Sequence, residues 1–317
     1  MSGQNANFTV DPKLVAVALA YKNQAMIADE VLPRMDVGAS EFKYPSYDLD
    51  KGFTVVKDDV GRTSPPNELT WRSTQVTGSL LDHGLIHKIP ERDYTNLPEG
   101  RTKDSLNAEA VEALQDQILL NREVRAAAIV FATTSYASGH STTLSGTNQW
   151  SHASSNPITA ISAAMDAGIM PYNVLVLGQE VATKLRQNPV IVKAFNGSTG
   201  DSGIVPLDFI RNLFGLEKIL VGQGWVNTAK KGQTPTYSRA WGKGAALLHV
   251  PAVVQSVNVM NFRPIFGFSP HNGQKFVGSA FDKDIGLRGG TEIRVGEEIN
   301  EYVVANALGY YWDAAIA

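Results

Sequence analysis

The stretch that decides the fold is DSLNAEAVEALQDQILLNREVRAAAIVFA, residues 104–132. Apolar side chains recur in it at spacings of three and four, the period of one helix face, and only Gln117 interrupts them. This stripe consists of Leu106, Ala110, Ala113, Leu120, Val124, Ala127 and Phe131. At 1.5 Å per residue the helix would be roughly 40 Å long, more than one ordinary domain core needs. We therefore expect a long strut that organises the rest of the chain.

The chain before this helix has the pattern of an extended arm. Asp11 and Pro12 form a good helix start, because a carboxylate can accept from free backbone amides and proline tolerates the first helical position. This predicts a short helix over 12–22. In IADEVLPRMDV, residues 27–37, Pro33 forbids a long helix and pushes its predecessor towards extended geometry. We expect the chain to leave this region as an arm.

A projecting hairpin is predicted next. EFKYPSYDL, residues 41–49, contains Pro45, which a central strand would not tolerate, so it is expected to be an edge strand or a free ribbon. Residues 50–67 have no apolar period and indicate an exposed loop, and 68–79 are typical of a strand with two wet faces. Apolar character returns over 80–89, where the strand should enter a body. An isolated two-stranded ribbon is marginal in water, so this region favours a self-assembling structural subunit.

The remainder predicts a compact body in which helices and strands alternate. A Gly/Ser/Thr-rich loop is expected over 135–155. The predicted helices are 157–167, 180–195 and 206–214, and the predicted strands are 173–177, 218–221 and 245–250. That order indicates an α/β or α+β domain. Further strands are expected within 253–262 and 292–312, around a glycine-rich turn at 286–290.

Composition excludes several classes of function. The 317 residues contain no cysteine, which excludes disulfides, thiolate nucleophiles and cysteine metal sites. The 28 basic and 31 acidic residues nearly balance, so no global positive field favours a dedicated nucleic-acid binder. The first ten residues lack the features of a secretory signal, and no apolar run approaches the roughly 20 residues of a membrane span. A soluble protein made in the cytoplasm is expected.

The chemical motifs are weak. GDSG at 200–203 is the nucleophile signature of chymotrypsin-like proteases, but it lies between two predicted helices, where these are ordinary turn residues, and the histidine context is missing. A hydrolase using Ser202 is therefore a remote alternative. His83 and His87 lie four apart on a predicted strand, which separates the rings, and structural histidines are favoured. We expect no catalytic residue, no cofactor site and no metal site.

With chemistry absent, the order of the parts carries the assignment: arm, hairpin, long helix, then compact domain. YKNQAMIADEVLPRMDV followed by FKYPSYD is similar to the arm-to-hairpin entry of many phage capsid sequences. NPITAISAAMDAGIMPYNVLVLGQEVATKLRQNPVIVKAF resembles the start of their axial domain. The chain thus resembles, over nearly its whole length, the major capsid protein of tailed bacteriophages with the α+β Hong Kong 97-type fold.

The resemblance implies a role for each segment. Residues 1–40 would be an N-terminal arm crossing neighbours, 41–80 the extended E-loop hairpin, 81–156 a peripheral domain with the spine helix 104–132, and 157–317 an axial domain whose C-terminal segments return to the peripheral domain. The subunit-interface candidates are Phe42, Tyr44, Lys51, Phe53, Lys57, Asp58, Asp59, Arg62 and Trp71. Some members of this fold weld an E-loop lysine to a neighbour's asparagine. Lys51 and Lys57 lie where such a lysine would, although lysines at loop tips are usually only solvated.

The resemblance also implies partners. The chain would assemble with itself into pentamers and hexamers of an icosahedral head, and would touch packaged double-stranded DNA only by non-specific contact. A separate scaffolding protein and a portal are expected, and a decoration protein is left open. The location would be the virion capsid after synthesis in the host cytoplasm. An encapsulin-like compartment shell, which shares this fold, is the main alternative.

Overall fold

The computed structural model describes residues 9–10, 14, 26–46, 55, 57–66, 74–197, 200–230, 232–251 and 264–317. The helices in these ranges are α1 (Ala28–Val31), α2 (Glu91–Thr95), α3 (Lys103–Val130), α4 (Pro157–Ala167), α5 (Gln179–Gln187), α6 (Pro189–Asn196) and α7 (Leu207–Leu213). The strands are β1 (Thr9–Val10), β2 (Arg34–Asp36), β3 (Glu41–Ser46), β4 (Thr74–Ser79), β5 (Leu81–Pro90), β6 (Ser141–Thr143), β7 (Val174–Gly178), β8 (Lys218–Gly222), β9 (Trp225–Asn227), β10 (Tyr237–Arg239), β11 (Ala245–Leu248), β12 (Gly267–Asp282), β13 (Gly290–Ile299), β14 (Tyr302–Val303) and β15 (Gly309–Asp313).

The predicted strut is present as α3, a helix of 28 residues. It begins at a capping box, in which the Thr102 side chain accepts from the Ser105 amide and the Ser105 hydroxyl accepts from the Thr102 amide. The predicted apolar stripe is only partly right, because Ala113 and Val124 are exposed. The buried face instead carries three polar side chains, Gln115, Arg122 and Glu123.

A six-stranded sheet supports the first half of α3. Its strands run in the order β1, β12, β13, β5, and β12 also pairs with β2 and β14. The central hairpin of β12 and β13 is antiparallel, and β13 pairs antiparallel with β5 along its whole length. Val111 and Ile118 of α3 share a buried cluster with Ile293 and Val295 of β13. This packing fixes the helix along the sheet.

A second sheet, of five strands in the order β6, β15, β11, β7, β8, forms the centre of the body. Every residue of β7 is buried, and its side chains alternate between two cores. Val174 and Val176 face the core that contains the end of α3, whereas Leu175 and Leu177 face the core covered by helices α4–α7. The continuous apolar run of β7 follows from burial on both faces.

Two predictions in this region are wrong. The single helix over 180–195 is two helices, because Pro189 starts a new helix and the Asn188 side chain caps it by accepting from the Val190 amide at 3.0 Å. The segment 135–155 is not only a loop. It contains β6, which pairs in parallel with β15, and it buries Trp150.

The C-terminal third crosses between the two sheets. The 16-residue strand β12 was not predicted, and with β13 and β14 it lies in the first sheet. The last strand, β15, returns to the second sheet. β6 also belongs to the second sheet, so residues 156 and 157 do not mark a boundary between the sheets. The helix expected over 12–22, apart from the helical residue Leu14, and the strand expected within 253–262 lie outside the described residues.

Within the ranges that the structure describes, no helix combines the length and apolar character that a bilayer crossing requires.

Candidate assembly surfaces

The root of the N-terminal arm, defined here as residues 27–36, is held by a buried carboxylate. Glu123 of α3 is 0% exposed, and its oxygens accept from the backbone amides of Ile27 at 3.0 and 3.1 Å and Ala28 at 2.8 Å. These amides open α1, which has no side-chain cap of its own. The indole Nε1 of Trp241 is a third donor. Glu123 therefore caps α1 from another element, where a negative charge also favours the helix N-terminus.

The preceding residue of α3 holds the other end of α1. Arg122 is buried, and its Nη2 donates to the carbonyl oxygen of Leu32 at 3.3 Å. Its guanidinium also pairs with Asp29, in the first turn of α1. The Ser269 hydroxyl of β12 donates to the same Leu32 carbonyl at 3.2 Å. Two adjacent residues of the long helix thus fix both ends of the arm root.

Further ion pairs tie the arm root to the first sheet, and α3 to the segment that follows β13. Arg34 donates to Asp29 at 2.9 Å and to Glu297 of β13 at 2.7 Å, and Arg125 pairs with Glu301 at 3.0 Å. Burial disfavours the charged form of Glu297, but the positive charges of Arg34, Arg122 and Lys275 together outweigh it, and the pKa of this carboxyl is lowered. We call this set of residues the charge cluster: Asp29, Arg34, Arg122, Glu123, Arg125, Glu297 and Glu301. Opposite charges in contact make their burial tolerable.

The predicted hairpin exists at its base, where β3 and β4 pair antiparallel from Glu41–Ser79 to Ser46–Thr74. The strand predicted over 68–79 does not have two wet faces in its described part, because Gly78 is buried. Phe42 and Tyr44 are buried in the subunit's own core, with the Tyr44 ring 5.6 Å from Phe268 and the Phe42 ring 6.1 Å from Tyr302, both edge to face. These two interface candidates are therefore occupied within their own subunit.

Backbone contacts secure the return strand. The amide of Ser79 donates to the Tyr302 hydroxyl at 3.0 Å, and that hydroxyl donates back to the Ser79 carbonyl at 2.8 Å. Asn300 Nδ2 donates to the same carbonyl at 2.9 Å. Gly78 is required because a Cβ there would lie 2.6 Å from the Phe42 ring. We call this region, residues 41–46 and 74–79 with the aromatic side chains that cover it, the ribbon base.

Beyond the ribbon base, the described part of the hairpin is exposed. Lys57, Asp58, Asp59 and Arg62 all lie in the exposed segment 57–66. Two apolar side chains are also in solvent, since Val55 is 96% exposed and Val60 is 53% exposed. Of the remaining candidates, Lys51, Phe53 and Trp71 lie outside the described residues. The structure thus separates the candidates into two buried anchors and an exposed charged segment.

The charge cluster was missed by the sequence analysis. Charged residues on an amphipathic helix are ordinarily assigned to its solvent face. A signal was present, because Ile118 and Ala126 flank Arg122 at four residues on either side, and Leu119 and Ala127 flank Glu123 in the same way. The partners, by contrast, are far away in sequence, since Arg125 and Glu301, for example, are 176 residues apart.

The hydrolase alternative gains no support from the geometry. Ser202 is exposed in the turn before α7, and its described surroundings contain no hydrogen bond to a histidine. Two of the histidine rings have other partners: His140 meets the Tyr172 hydroxyl at 3.2 Å and His249 meets the Pro171 carbonyl at 2.7 Å. His83 lies on β5, as predicted, opposite Glu297. Burial lowers the pKa of His83, which favours its neutral form.

A scan against models of protein families finds no match. Among curated proteins, the chain is 45% identical over 313 residues to the major capsid protein of Pseudomonas phage JBD67, covering 99% of both chains. It is 25% identical over 266 residues to the major capsid protein of Burkholderia phage BcepMu, covering 82% of each. The similarity spans arm, hairpin, long helix and body alike.

Solved structures show the same fold. A phage-related protein from Bordetella bronchiseptica RB50 superposes with a TM-score of 0.74 at 20% identity, over 98% of both chains. The capsid of cyanophage P-SCSP1u gives a TM-score of 0.53 at 11% identity, over 94% of this chain and 90% of that one. The SrpI encapsulin of Synechococcus elongatus PCC 7942 gives 0.52 at 10% identity, over 96% of both. Capsids and compartment shells thus share the fold, and the fold alone does not separate them.

Proposed function

The chain belongs to the major capsid proteins of bacteriophages, and on that basis we propose that its arm and its exposed hairpin loop join one copy to the next in the shell. It has the α+β Hong Kong 97-type fold, and its role in the phage head is structural. The observation that carries the proposal is the contrast within the hairpin. Its base is buried in its own subunit, whereas the segment 57–66 leaves charged and apolar side chains in solvent.

The proposed arrangement follows from that contrast. The ribbon base aims the loop outward, and the loop lies on an adjacent subunit, where Asp58, Asp59 and Arg62 set the register of the contact. The arm, residues 1–40, crosses a second neighbour from its fixed root. Obligate interfaces bury roughly 2,000 to 5,000 Å² in total, and many weak contacts act together in a closed shell. In this arrangement residues 81–156 supply the peripheral domain and residues 157–317 the axial domain. The exceptions are β6, which belongs to the second sheet, and β12–β14, which lie in the first.

The shell we infer consists of pentamers and hexamers around double-stranded DNA. A separate scaffolding protein would guide its closure and a portal would occupy one vertex, with the subunits made in the host cytoplasm. Support for this finer arrangement comes from the family and its fold. A decoration protein is not part of the proposal.

The decisive experiment is negative-stain microscopy of the full chain, expressed with and without its scaffolding partner. Closed shells, tubes or rings of five or six support the proposal, and a well-behaved monomer under both conditions contradicts it. A chain lacking residues 1–26, which keeps the arm root, should give a soluble body that fails to close shells. Shells formed by that variant would show that the arm is not the strap.

A further inference from the structure

One long segment of the chain carries charge of a single sign. Residues 218–281 contain no aspartate and no glutamate, although the whole chain has a formal net charge of -3. The basic residues of this segment are Lys218, Lys230, Lys231, Arg239, Lys243, Arg263 and Lys275. Within it, β9 and β10 form a separate two-stranded ribbon between the sheet strands β8 and β11. This second ribbon carries Arg239, and the loop that joins its strands carries Lys230.

The pleat gathers four side chains on one face of this ribbon. Trp225 lies opposite Arg239, and Asn227 lies opposite Tyr237, so all four share a face. The Arg239 guanidinium carbon sits 3.8 Å from the centre of the Trp225 ring, and its Nη1 donates to the Gln223 carbonyl at 2.6 Å. Stacking and this hydrogen bond together hold the guanidinium in one orientation.

The face has no cover within its own subunit. Trp225 is 52% exposed, Tyr237 is 65% exposed, and Lys230 is exposed in the loop that joins the strands. No aspartate or glutamate of the described residues lies within ion-pair distance of Arg239, whereas Lys218, at the other end of the segment, pairs with Glu30 at 3.0 Å. The ribbon therefore presents an oriented, unneutralised cation beside aromatic side chains.

We propose that this face binds the phosphate backbone of DNA enclosed by the shell. Arg239 and Lys230 would contact phosphate oxygens, the Tyr237 hydroxyl would donate to a phosphate, and Trp225 would act as a positioning residue that keeps Arg239 flat. The inference rests on the proposed function, because a shell around DNA brings a polyanion to the face. Charge complementarity favours a polyanion over a second copy of this chain. Contacts to phosphate carry no sequence preference. Weak contacts from many subunits of the shell add up to strong binding of the DNA.

The test is fluorescence anisotropy of a labelled duplex of about 30 base pairs with the full chain across a range of salt concentrations. We expect the double variant Arg239→Gln/Lys230→Gln to lower the slope of log affinity against log salt by about two, or about one for each lost phosphate contact. Trp225→Ala should lower this slope by up to about one. Trp225→Phe should restore the slope, since a phenylalanine ring can still stack on the Arg239 guanidinium. Arg211→Gln is the matched control, because Arg211 is an exposed arginine of α7 paired with Asp208.

An unchanged slope in the double variant overturns the inference. Microscopy of the same variant separates the two proposals. If its slope is unchanged and it fails to form shells, the face contacts another copy instead, and the proposed function stands. If the wild-type chain forms no shells with its scaffold, the proposed function fails, and the slope still decides whether this ribbon binds DNA.

Discussion

The two extended segments of this subunit are attached to the body by opposite kinds of chemistry. The arm root is held by buried charge, with Glu123 and Arg122 of α3 binding the two ends of α1. The ribbon base is held by aromatic packing, with Phe42 and Tyr44 against Phe268. Both place apolar side chains in the same core at the end of α3, including Val31 and Leu32 of the arm root, and only the arm root adds buried charge.

The difference predicts how each attachment fails. A buried charge that loses one partner leaves the other uncompensated, so the arm root should detach almost completely when one member is removed. Aromatic packing loses energy in proportion to the atoms removed, and neighbours can relax into the space. The arm root should therefore behave as a switch, whereas the ribbon base should loosen by degrees.

The largest effect is expected for Glu123→Ala. Three buried donors lose their acceptor, which should lower the free energy of unfolding by about 3–5 kcal/mol and expose residues 27–36 to protease. Denaturant unfolding and mass spectrometry of limited digests measure the two effects. Glu112→Ala, an exposed glutamate on the same helix, is the matched control. Equal stability of the two variants would refute a structural role for the buried carboxylate.

Phe42→Ala should come next, with a loss of about 3 kcal/mol, the lower end for a buried phenylalanine, because the ribbon can settle into the gap. Digestion should move to 41–46 and 74–79 while the arm root stays protected. Lys43→Ala, on the exposed face of the same strand, is its control. If digestion of Phe42→Ala begins at the arm root and the ribbon base together, the two attachments unfold as one unit and do not differ as described.

Acid should separate the two attachments. The pKa of Glu297 is lowered by Arg34 from the ordinary 4.5, so its contribution to stability is complete above that value and is lost as the pH falls below it. Hydrogen exchange should then rise at residues 27–36 before it rises at the ribbon base. In the variant Glu297→Gln, acid should no longer raise exchange at residues 27–36 before it raises exchange at the ribbon base. Simultaneous exchange at both sites in the wild-type chain would contradict it.

The smallest effect on the subunit is expected for Asp58→Asn/Asp59→Asn. Both side chains are exposed, so the free energy of unfolding should change by less than about 0.5 kcal/mol. Assembly, followed by light scattering at several salt concentrations, should nevertheless change its rate and salt dependence. Asp201→Asn, in another exposed turn, should alter neither. Identical assembly of the two variants would remove this loop from the interface.

Sequence patterns predicted the elements whose causes are local. The long helix was predicted at 104–132 and is found at Lys103–Val130, and the helix at Pro157–Ala167 was predicted to the residue. The hairpin base was also predicted from its edge proline and threonines. These features depend on periodicity, caps and turn residues, which neighbouring residues determine.

The rest depends on distant partners. Arg122 and Glu123 are buried because groups from residues 27–32 and from Trp241 meet them, and periodicity cannot show this. β12 was missed because Pro270 and three glycines read as turn signals, although the strand has partners on both sides. The break at Asn188–Pro189 could have been predicted, since a capping residue before proline is a helix start.

The charge cluster has a consequence for the order of events at the ribosome. The arm root is made early, whereas Ser269, Glu297 and Glu301, which complete its surroundings, are made more than 230 residues after Leu32. At about 5–20 residues per second, this delay is on the order of tens of seconds. The docking of residues 27–36 is therefore complete only when nearly the whole chain has emerged. A nascent chain has no fixed strap with which to hold a neighbour, and only a finished subunit is ready to join the shell.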